Sequence, residues 1–269
     1  MRQPSASHAA GRAGRAIITG ASSGIGAALA RELSRRGWSL ALLARRHELL
    51  DQLVSELKTD AVALAADVTD RDAVRDAVAR GSAALGGDFD LAVANAGISV
   101  PTWSTKFNVD DAERIIRVNV LGMFYLFDAT IPAMLGRGSG RFAGIASIAG
   151  LRGLPSASVY SASKAAMQSF LEASRVELRQ HGVGVTIVNP GWVQTPIIDK
   201  YKGRVPFLVP VDKAARIIAD GLERGAREVE FPRPMSLLMR TMRLVPNALY
   251  DRILRPYAKR RIDPEKVRR

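Results

Sequence analysis

Short apolar runs alternate with helix-patterned stretches along the first hundred residues, and no other feature of the sequence constrains the fold as strongly. Consecutive βα units predict a parallel, doubly wound α/β sheet with helices on both faces. The predicted strands, about seven, lie at 16–18, 39–44, 61–65, 91–95, 141–146, 183–188 and 228–231. The predicted helices lie at 25–36, 48–58, 71–81, 110–135, 158–181 and 212–224.

The chain is predicted to hold one α/β domain with an appendage at each end. No internal repeat or shift in composition divides residues 14–231, which we take as a single domain. Residues 1–13 are rich in Ser, Ala and Arg without apolar periodicity, and predict a flexible leader. Residues 232–269 form a basic C-terminal extension.

The net charge of +13 is concentrated at the ends of the chain. Residues 232–269 carry eleven Lys or Arg against three Asp or Glu, whereas residues 17–231 keep a net charge of only +2. A nearly neutral body argues against a nucleic-acid-binding domain, so an anionic partner is expected at the tails or not at all.

The C-terminal extension has one amphipathic stretch. Met235, Leu238, Met239, Met242 and Val245 recur at helical spacing, and Pro246 should end that helix. We favour packing of this arm on the substrate pocket or on a sister subunit. Peripheral contact with an anionic membrane is the alternative, because a basic amphipathic helix can lie on such a surface.

The absence of cysteine removes thiolate nucleophiles, disulfides and cysteine-ligated metal sites. The three histidines are scattered, so we predict no metal site. The lack of cysteine fits a cytoplasmic protein. We also predict no membrane-spanning segment, because no apolar run approaches the ~18 residues that a bilayer requires.

A glycine-rich segment, TGASSGIG at residues 19–26, lies where the first predicted strand meets the first predicted helix. Glycines there allow a tight turn and let backbone N–H groups and the positive helix end approach a pyrophosphate. The spacing departs from the usual G-x-G-x-x-G, so the motif alone is equally consistent with an ordinary turn. The predicted cofactor-binding residues of this segment are Thr19, Gly20, Ser22, Ser23, Gly24, Ile25 and Gly26.

The second predicted strand is followed by Arg45 and Arg46, where an NAD-selective protein typically carries Asp or Glu for the ribose 2′-hydroxyl. A guanidinium can bind a 2′-phosphate bidentately, whereas a carboxylate repels it. We therefore predict that the cofactor is NADP(H), with NAD(H) as the alternative. The plain structural interpretation is two solvated arginines at the start of a helix.

Tyr160 and Lys164 are four residues apart in a helix-patterned stretch, so both side chains share one helix face. Tyrosine ionises near pH 10 and needs a neighbouring cation to act as an acid or base at neutral pH. An ammonium at ~4 Å in a dielectric of ~20 contributes about 4 kcal/mol, before its own desolvation is subtracted. Helices also contain such pairs by chance, so the rest of the chain decides their meaning.

Further motifs follow the later strands in order. They are Asp67 and Val68 after the third strand, Asn95, Ala96 and Gly97 after the fourth, Asn119 in the next helix, Ser147 after the fifth strand, and Pro190, Gly191, Val193 and Thr195 after the sixth. With TGxxxGxG and YxxxK, their order and separations over residues 15–231 resemble the short-chain dehydrogenase/reductase family. The resemblance implies a Rossmann-like single domain and an NAD(P)-dependent oxidoreductase acting on CH–OH or C=O groups.

The resemblance also implies catalytic roles. Ser147 would orient the substrate carbonyl, and Tyr160 would be the general acid–base. Lys164 would lower the pKa of Tyr160 and bind the nicotinamide ribose. Asn119 would anchor a relay water, the alternative being an Asn that merely bends its helix.

For the cofactor, the resemblance implies that Asp67 and Val68 contact adenine, that Asn95 braces the fourth strand, and that Thr195 with Val193 binds the carboxamide. Some NADP-dependent members carry a basic residue before the middle glycine. This chain has Ser23 there, so cofactor selectivity would rest on Arg45 with help from Arg46.

The substrate is predicted to be a small lipophilic ketone or aldehyde, reduced reversibly. Residues 191–210 would close over an apolar pocket, although ordinary packing is the alternative for each large side chain of this set: Trp103, Leu154, Trp192, Tyr201, Phe207 and Leu208. A 3-oxoacyl-thioester reductase is the rival activity, and a catalytically silent nucleotide sensor or membrane-surface scaffold is the rival class. By resemblance we expect a homodimer or homotetramer, formed through the helices that contain Asn119 and Tyr160.

Overall fold

A computed structural model describes residues 14–196, 198 and 205–259. Within them, seven parallel strands form one sheet in the order β3-β2-β1-β4-β5-β6-β7, which confirms the predicted fold class. The strands are β1 (Arg15–Thr19), β2 (Ser39–Ala44), β3 (Ala61–Ala65), β4 (Leu91–Ala94), β5 (Gly140–Ile145), β6 (Val183–Pro190) and β7 (Glu228–Phe231). The predicted leader, residues 1–13, lies outside the described residues.

The helices cover both faces of the sheet and continue beyond it. They are α1 (Gly24–Arg35), α2 (His47–Glu56), α3 (Arg71–Ala84), α4 (Val109–Ile116), α5 (Gly122–Arg137), α6 (Ser158–Arg179), α7 (Val211–Glu223), α8 (Arg233–Leu244) and α9 (Asn247–Lys259). Ile18, Leu42 and Val93 pack on one face with residues of α1 and α7. Ile17 and Phe142 pack on the other with residues of α3, α5 and α6. Burial on both faces explains why the strands read as continuous apolar runs.

The strand order places a crevice at one edge of the sheet. β1 and β4 are hydrogen-bonded neighbours, although the chain visits β2 and β3 between them. The chain therefore adds β2 and β3 on one side of β1, and adds β4 to β7 on the other side. Since all strands are parallel, the loops at their carboxyl ends meet where this direction reverses, which is where ligands bind in open α/β sheets.

The helix predicted at 110–135 is interrupted, because a π turn at Arg117–Leu121 joins α4 to α5. The combined helix Val109–Arg137 is long and apolar enough to cross a membrane by length and composition alone, contrary to our expectation from the sequence. Its Met123, Leu126 and Ile131 are buried in the domain core. Packing against the sheet thus accounts for the hydropathy of this helix.

The C-terminal extension begins with the predicted helix, which ends at Leu244, two residues before Pro246. Of the predicted apolar stripe, Met235 is buried against the domain, whereas Leu238 is exposed. The sequence analysis did not predict α9, which contains Pro256 and exposes most of its residues.

Arg152 fastens the extension to the domain. Its guanidinium donates hydrogen bonds to the carbonyl oxygens of Met242 and Val245, the latter at 2.7 Å, and lies 3.8 Å from the centroid of the Tyr250 ring. The Tyr250 hydroxyl in turn donates to the carbonyl oxygen of Gly153. The two terminal helices therefore dock on the loop between Ser147 and α6.

Candidate active site

The glycine turn between β1 and α1 is packed tightly against the end of β4. Gly20 has a φ of +66°, and a Cβ there would lie 2.7 Å from the Cα of Ala96. A Cβ on Gly26 would lie 2.5 Å from the carbonyl oxygen of Gly20. The amide of Asn95 donates to the carbonyl oxygens of Thr19 (2.9 Å) and Gly20 (3.2 Å). Neither glycine position accepts a side chain, so the turn has the close backbone approach that the motif predicts.

The N-terminus of α1 has features that favour binding of an anion. Ser23 is the N-cap residue, but its side chain accepts no hydrogen bond from the helix, and the first turn holds no acidic residue. The hydroxyls of Ser22 and Ser23 instead accept hydrogen bonds from Arg46 at 2.9 and 3.0 Å. The first N–H groups of α1 therefore lack an acidic or capping side chain, beside a guanidinium.

Arg45 projects from the end of β2 into solvent. Its side chain is 74% exposed, and its guanidinium lies 3.7 Å from a carboxylate oxygen of Asp67. Asp67 is itself oriented, because its other oxygen accepts hydrogen bonds from the backbone N–H and hydroxyl of Thr69, each at 2.9 Å. Val68 beside it is buried. This end of the cleft thus combines one fixed carboxylate with two arginines.

Thr19 joins the two central strands. Its buried hydroxyl oxygen accepts hydrogen bonds from the backbone N–H groups of Asn95 and Ala96, each at 3.1 Å. These bonds hold the start of the loop after β4 against the end of β1. Gly97 follows, and a Cβ there would lie 3.5 Å from Lys164 Nζ, inside the space between the loop and α6.

Ser147 follows β5 and caps a short 3₁₀ turn at Ile148–Gly150. Its hydroxyl accepts a hydrogen bond from the N–H of Ala149 at 3.1 Å and donates to the carbonyl oxygen of Pro190 at 3.3 Å. The side chain is buried, so both bonds fix the position of its oxygen.

Gln168 supports this serine, and the sequence analysis missed it. Its amide nitrogen donates to the carbonyl oxygen of Ser147 and to the side-chain oxygen of Asn189, each at 2.8 Å. One signal was available: Gln168 lies four residues after Lys164 and therefore on the same face of α6.

Tyr160 and Lys164 lie on α6 and line the same cleft, as their spacing predicts. The Lys164 ammonium lies 5.7 Å from the centroid of the Tyr160 ring and donates to the carbonyl oxygen of Ile145 at 2.7 Å. Burial lowers the pKa of Lys164 from 10.5 to about 7, because a charged ammonium is poorly solvated there. Desolvation therefore offsets part of the electrostatic help that the sequence spacing predicts.

Asn119 lies inside the π turn and is fully buried. Its side-chain oxygen accepts a hydrogen bond from the N–H of Ile98 at 2.8 Å, and its amide donates to the Ser163 hydroxyl at 3.0 Å. Ser163 donates in turn to the carbonyl oxygen of Tyr160 at 2.7 Å. Asn119 thereby connects the loop after β4 to the helix that carries Tyr160, and π turns of this kind are frequent at functional sites.

Most of the predicted residues surround one cleft of about 360 Å³. From the predicted set, its lining includes Gly20, Ser22, Ser23, Gly24, Ile25, Arg45, Arg46, Asp67, Val68, Asn95, Ala96, Gly97, Ser147, Tyr160, Lys164, Pro190, Gly191, Val193 and Thr195. Thr19, Gly26 and Asn119 lie behind this surface, where they hold the lining residues in place.

The residues predicted to form an apolar substrate pocket are more dispersed. Phe207 and Leu208 are exposed, and Tyr201 lies outside the described residues. Leu154 lines a second cavity of about 740 Å³, between the start of α6 and α9. The apolar substrate pocket therefore stays a prediction, because the described residues do not bring this set together.

Comparison with known proteins gives matches along most of the chain. The profile of the family described as short chain dehydrogenase matches residues 15–204. An uncharacterized oxidoreductase of Myxococcus xanthus is 37% identical over 239 residues, which are 88% of this chain and 94% of that protein.

Two solved structures show the same fold. A short-chain dehydrogenase from Streptomyces avermitilis superposes with a TM-score of 0.79 at 26% identity, covering 92% of this chain and 98% of that one. A 3-ketoacyl-(acyl-carrier-protein) reductase from Brucella melitensis, complexed with NADH, has a TM-score of 0.75 at 25% identity and covers 81% of this chain and 96% of its own.

Proposed function

Because this chain belongs to the short-chain dehydrogenase family and is therefore an NAD(P)-dependent oxidoreductase, we propose that it reduces a carbonyl group to an alcohol, reversibly, with NADPH. One observation carries the proposal: the glycine turn and the three side chains Ser147, Tyr160 and Lys164 line a single cleft. A nucleotide sensor or scaffold would not require this set of chemical groups beside its nucleotide.

The cleft fits a dinucleotide. A side chain at Gly20 or Gly26 would clash with neighbouring atoms, so the turn at the start of α1 stays compact. The first turn of α1 and the guanidinium of Arg46 together offer donors and positive charge to a pyrophosphate. When bound, the nicotinamide dinucleotide supplies the hydride.

Ser147 and Tyr160 would act on the substrate oxygen. As the carbonyl carbon is reduced, its oxygen would take the phenolic proton of Tyr160, which would yield the alcohol. The Ser147 hydroxyl accepts from the N–H of Ala149, and its single proton would turn from the long 3.3 Å bond to Pro190 toward the substrate oxygen as negative charge develops there. The reverse reaction uses the same groups with Tyr160 as the base.

Lys164 would hold the ribose hydroxyls and support the Tyr160 phenolate through its positive charge. Asn119 would anchor the water through which Lys164 exchanges protons with solvent. This relay role rests on the family resemblance, while the hydrogen bonds from the buried Asn119 side chain to Ile98 and Ser163 join the loop and α6 beside Lys164.

NADP(H) is the proposed cofactor because Arg45 and Arg46 follow β2 and line the cleft. The exposed Arg45 side chain would be available to a 2′-phosphate, whereas Arg46 already donates hydrogen bonds to Ser22 and Ser23. NAD(H) is the alternative, supported by the Brucella melitensis reductase, which is complexed with NADH.

The proposed substrate is a lipophilic ketone or aldehyde. A 3-oxoacyl thioester is the second candidate, favoured by the name of the Brucella melitensis relative. We further propose that the enzyme works in the cytoplasm as a homodimer or homotetramer, as the family resemblance implies.

A substrate panel tests the proposal. Ketones, aldehydes and 3-oxoacyl thioesters are offered with NADPH or NADH, and cofactor oxidation is followed by absorbance. Tyr160→Phe should lower turnover of any active substrate by about 10²- to 10⁴-fold, the range expected for a lost general acid. Tyr125→Phe on α5 is the matched control and should keep the parent rate. A Tyr160→Phe protein that turns over like the parent would remove Tyr160 from the mechanism.

A further inference from the structure

The terminal helices α8 and α9 expose an apolar surface away from the domain. Leu244 is 84% exposed, Leu237 65%, Leu238 52%, Leu249 50% and Ile253 43%. We call these five residues the outer face. Isolated exposed leucines are ordinary on protein surfaces, but five within seventeen residues of sequence form a concentration that invites a partner.

The arrangement of these residues follows from helical geometry. Leu237 and Leu244 are seven residues apart and share a side of α8, while Met235 is buried against the domain. Leu249 and Ile253 are four residues apart and share a side of α9. The inner side of α8 therefore packs against the domain, and the outer face lies in solvent.

The outer face is flanked by uncompensated positive charge. Arg233 and Arg243 of α8 are exposed, as are Arg252 and Arg255 of α9, which also line the second cavity, and within the described part of the chain no carboxylate lies within ion-pair distance of the four. Arg240 differs, because it pairs with Glu228 and Glu230 of β7 at 2.7 and 3.0 Å. Across residues 232–259 of the sequence, six Lys or Arg face a single acid, Asp251.

We propose that the outer face binds the surface of an anionic lipid bilayer. Its leucines would enter the boundary between headgroups and acyl chains, and its arginines would stay among the lipid phosphates and carboxylates. Each arginine near such a surface strengthens binding by about five-fold, which corresponds to ~1 kcal/mol.

Other partners fit this surface less well. A second copy in a symmetric pair would bring the same arginine-rich patch against itself, and juxtaposed like charges oppose association. A nucleic acid would use the arginines but leave five apolar side chains without a role, since phosphate contacts need no leucine. A lipid surface satisfies both the apolar and the basic residues.

Co-sedimentation with vesicles tests the proposal on the full chain. The parent protein should bind phosphatidylcholine vesicles that contain phosphatidylserine at low salt, and bind pure phosphatidylcholine at least ten-fold more weakly. Replacing two outer-face leucines, Leu237→Ser with Leu244→Ser, should weaken binding by at least ten-fold, because their partial insertion is lost. The pair Arg233→Gln with Arg243→Gln on α8 should weaken it by about five-fold per charge at low salt and much less at high salt.

Matched controls lie on other parts of the domain. Val109→Ser removes an exposed apolar side chain on α4, and Arg216→Gln removes an exposed charge on α7, and both proteins should bind vesicles like the parent. Equal binding of the parent and both outer-face double variants would overturn the proposal. So would a parent dimer, seen by light scattering, that Leu237→Ser with Leu244→Ser dissociates without any change in vesicle binding, since the outer face would then contact a second copy.

Discussion

The two ends of the cleft are built in opposite ways. At the catalytic end, Ser147, Lys164 and Asn119 are buried, and each is hydrogen-bonded to backbone atoms. At the other end, Arg45 is largely exposed, and its guanidinium lies 3.7 Å from one carboxylate oxygen of Asp67. The proposed catalytic groups are thus held by the fold, whereas the side chain proposed to select the dinucleotide is largely exposed.

This difference predicts different consequences of substitution. An exposed ion pair contributes about 0–1 kcal/mol to stability, so a change at Arg45 should alter ligand binding and leave folding intact. Buried, hydrogen-bonded groups are coupled to the fold, so a change at the catalytic end should alter stability and turnover together.

Lys164 provides the largest expected effect. Its pKa is lowered by burial to about 7 in the folded protein, from 10.5 when exposed. Between these two values the unfolded chain binds a proton that the folded chain does not, so stability should rise with pH, by up to about 1.4 kcal/mol per pH unit. Below pH 7 both states are protonated, and this contribution to the slope vanishes.

Urea unfolding at a series of pH values measures this slope. Lys164→Met removes the titrating group and should flatten the rise above pH 7 relative to the parent protein. Lys213→Met, at an exposed position on α7, is the matched control and should leave the slope unchanged. Equal slopes for the parent and Lys164→Met would show that burial does not lower the pKa of Lys164 in the folded protein.

Arg45 gives the next largest effect, and it concerns binding alone. Arg45→Asp removes a phosphate-binding guanidinium and adds a repelling carboxylate. The preference for NADPH over NADH, as the ratio of kcat/KM values, should fall on the order of 100-fold, since one charge-assisted contact is worth about 1.5–3 kcal/mol.

The free energy of unfolding should change by less than about 0.5 kcal/mol in the same variant, because the side chain is exposed. Arg216→Asp makes the same charge change on the exposed side of α7 and should keep the parent cofactor preference. An unchanged preference in Arg45→Asp would assign the dinucleotide selection elsewhere, with Arg46 as the next residue to vary.

The contrast also shows what the sequence can predict. The bounds of β2, β3 and β7 coincide with the predicted ones, because continuous apolar runs with clear ends are local signals. The glycine turn and the Tyr160–Lys164 pair are likewise local signals, and the family resemblance carried by the full set of motifs implied the single cleft that both line.

Features that depend on tertiary contacts were not predictable in this way. The π turn around Asn119 inserts one residue into an otherwise ordinary helical pattern, for which the sequence has no distinct signal. The exposure of Leu238 depends on which side of α8 meets β7 and the loop after Ser147. Gln168 contacts Ser147 and Asn189, each 21 residues away, and long-range pairs of this kind cannot be deduced from spacing.

Substitution of Gln168 should give the smallest of these effects, and it should change both the free energy of unfolding and the turnover rate. Gln168→Leu leaves the carbonyl oxygen of Ser147 without a donor, which should destabilise the fold by about 1–3 kcal/mol. Because Ser147 then loses one of its fixed contacts, kcat should fall about ten-fold, while the KM for the dinucleotide stays at the parent value. Gln168→Glu should behave similarly, since an ionised carboxylate cannot donate to that oxygen. Ser169→Ala, on the exposed side of α6, is the control. If kcat stays at the parent value while stability falls, Gln168 merely packs α6 and does not position Ser147.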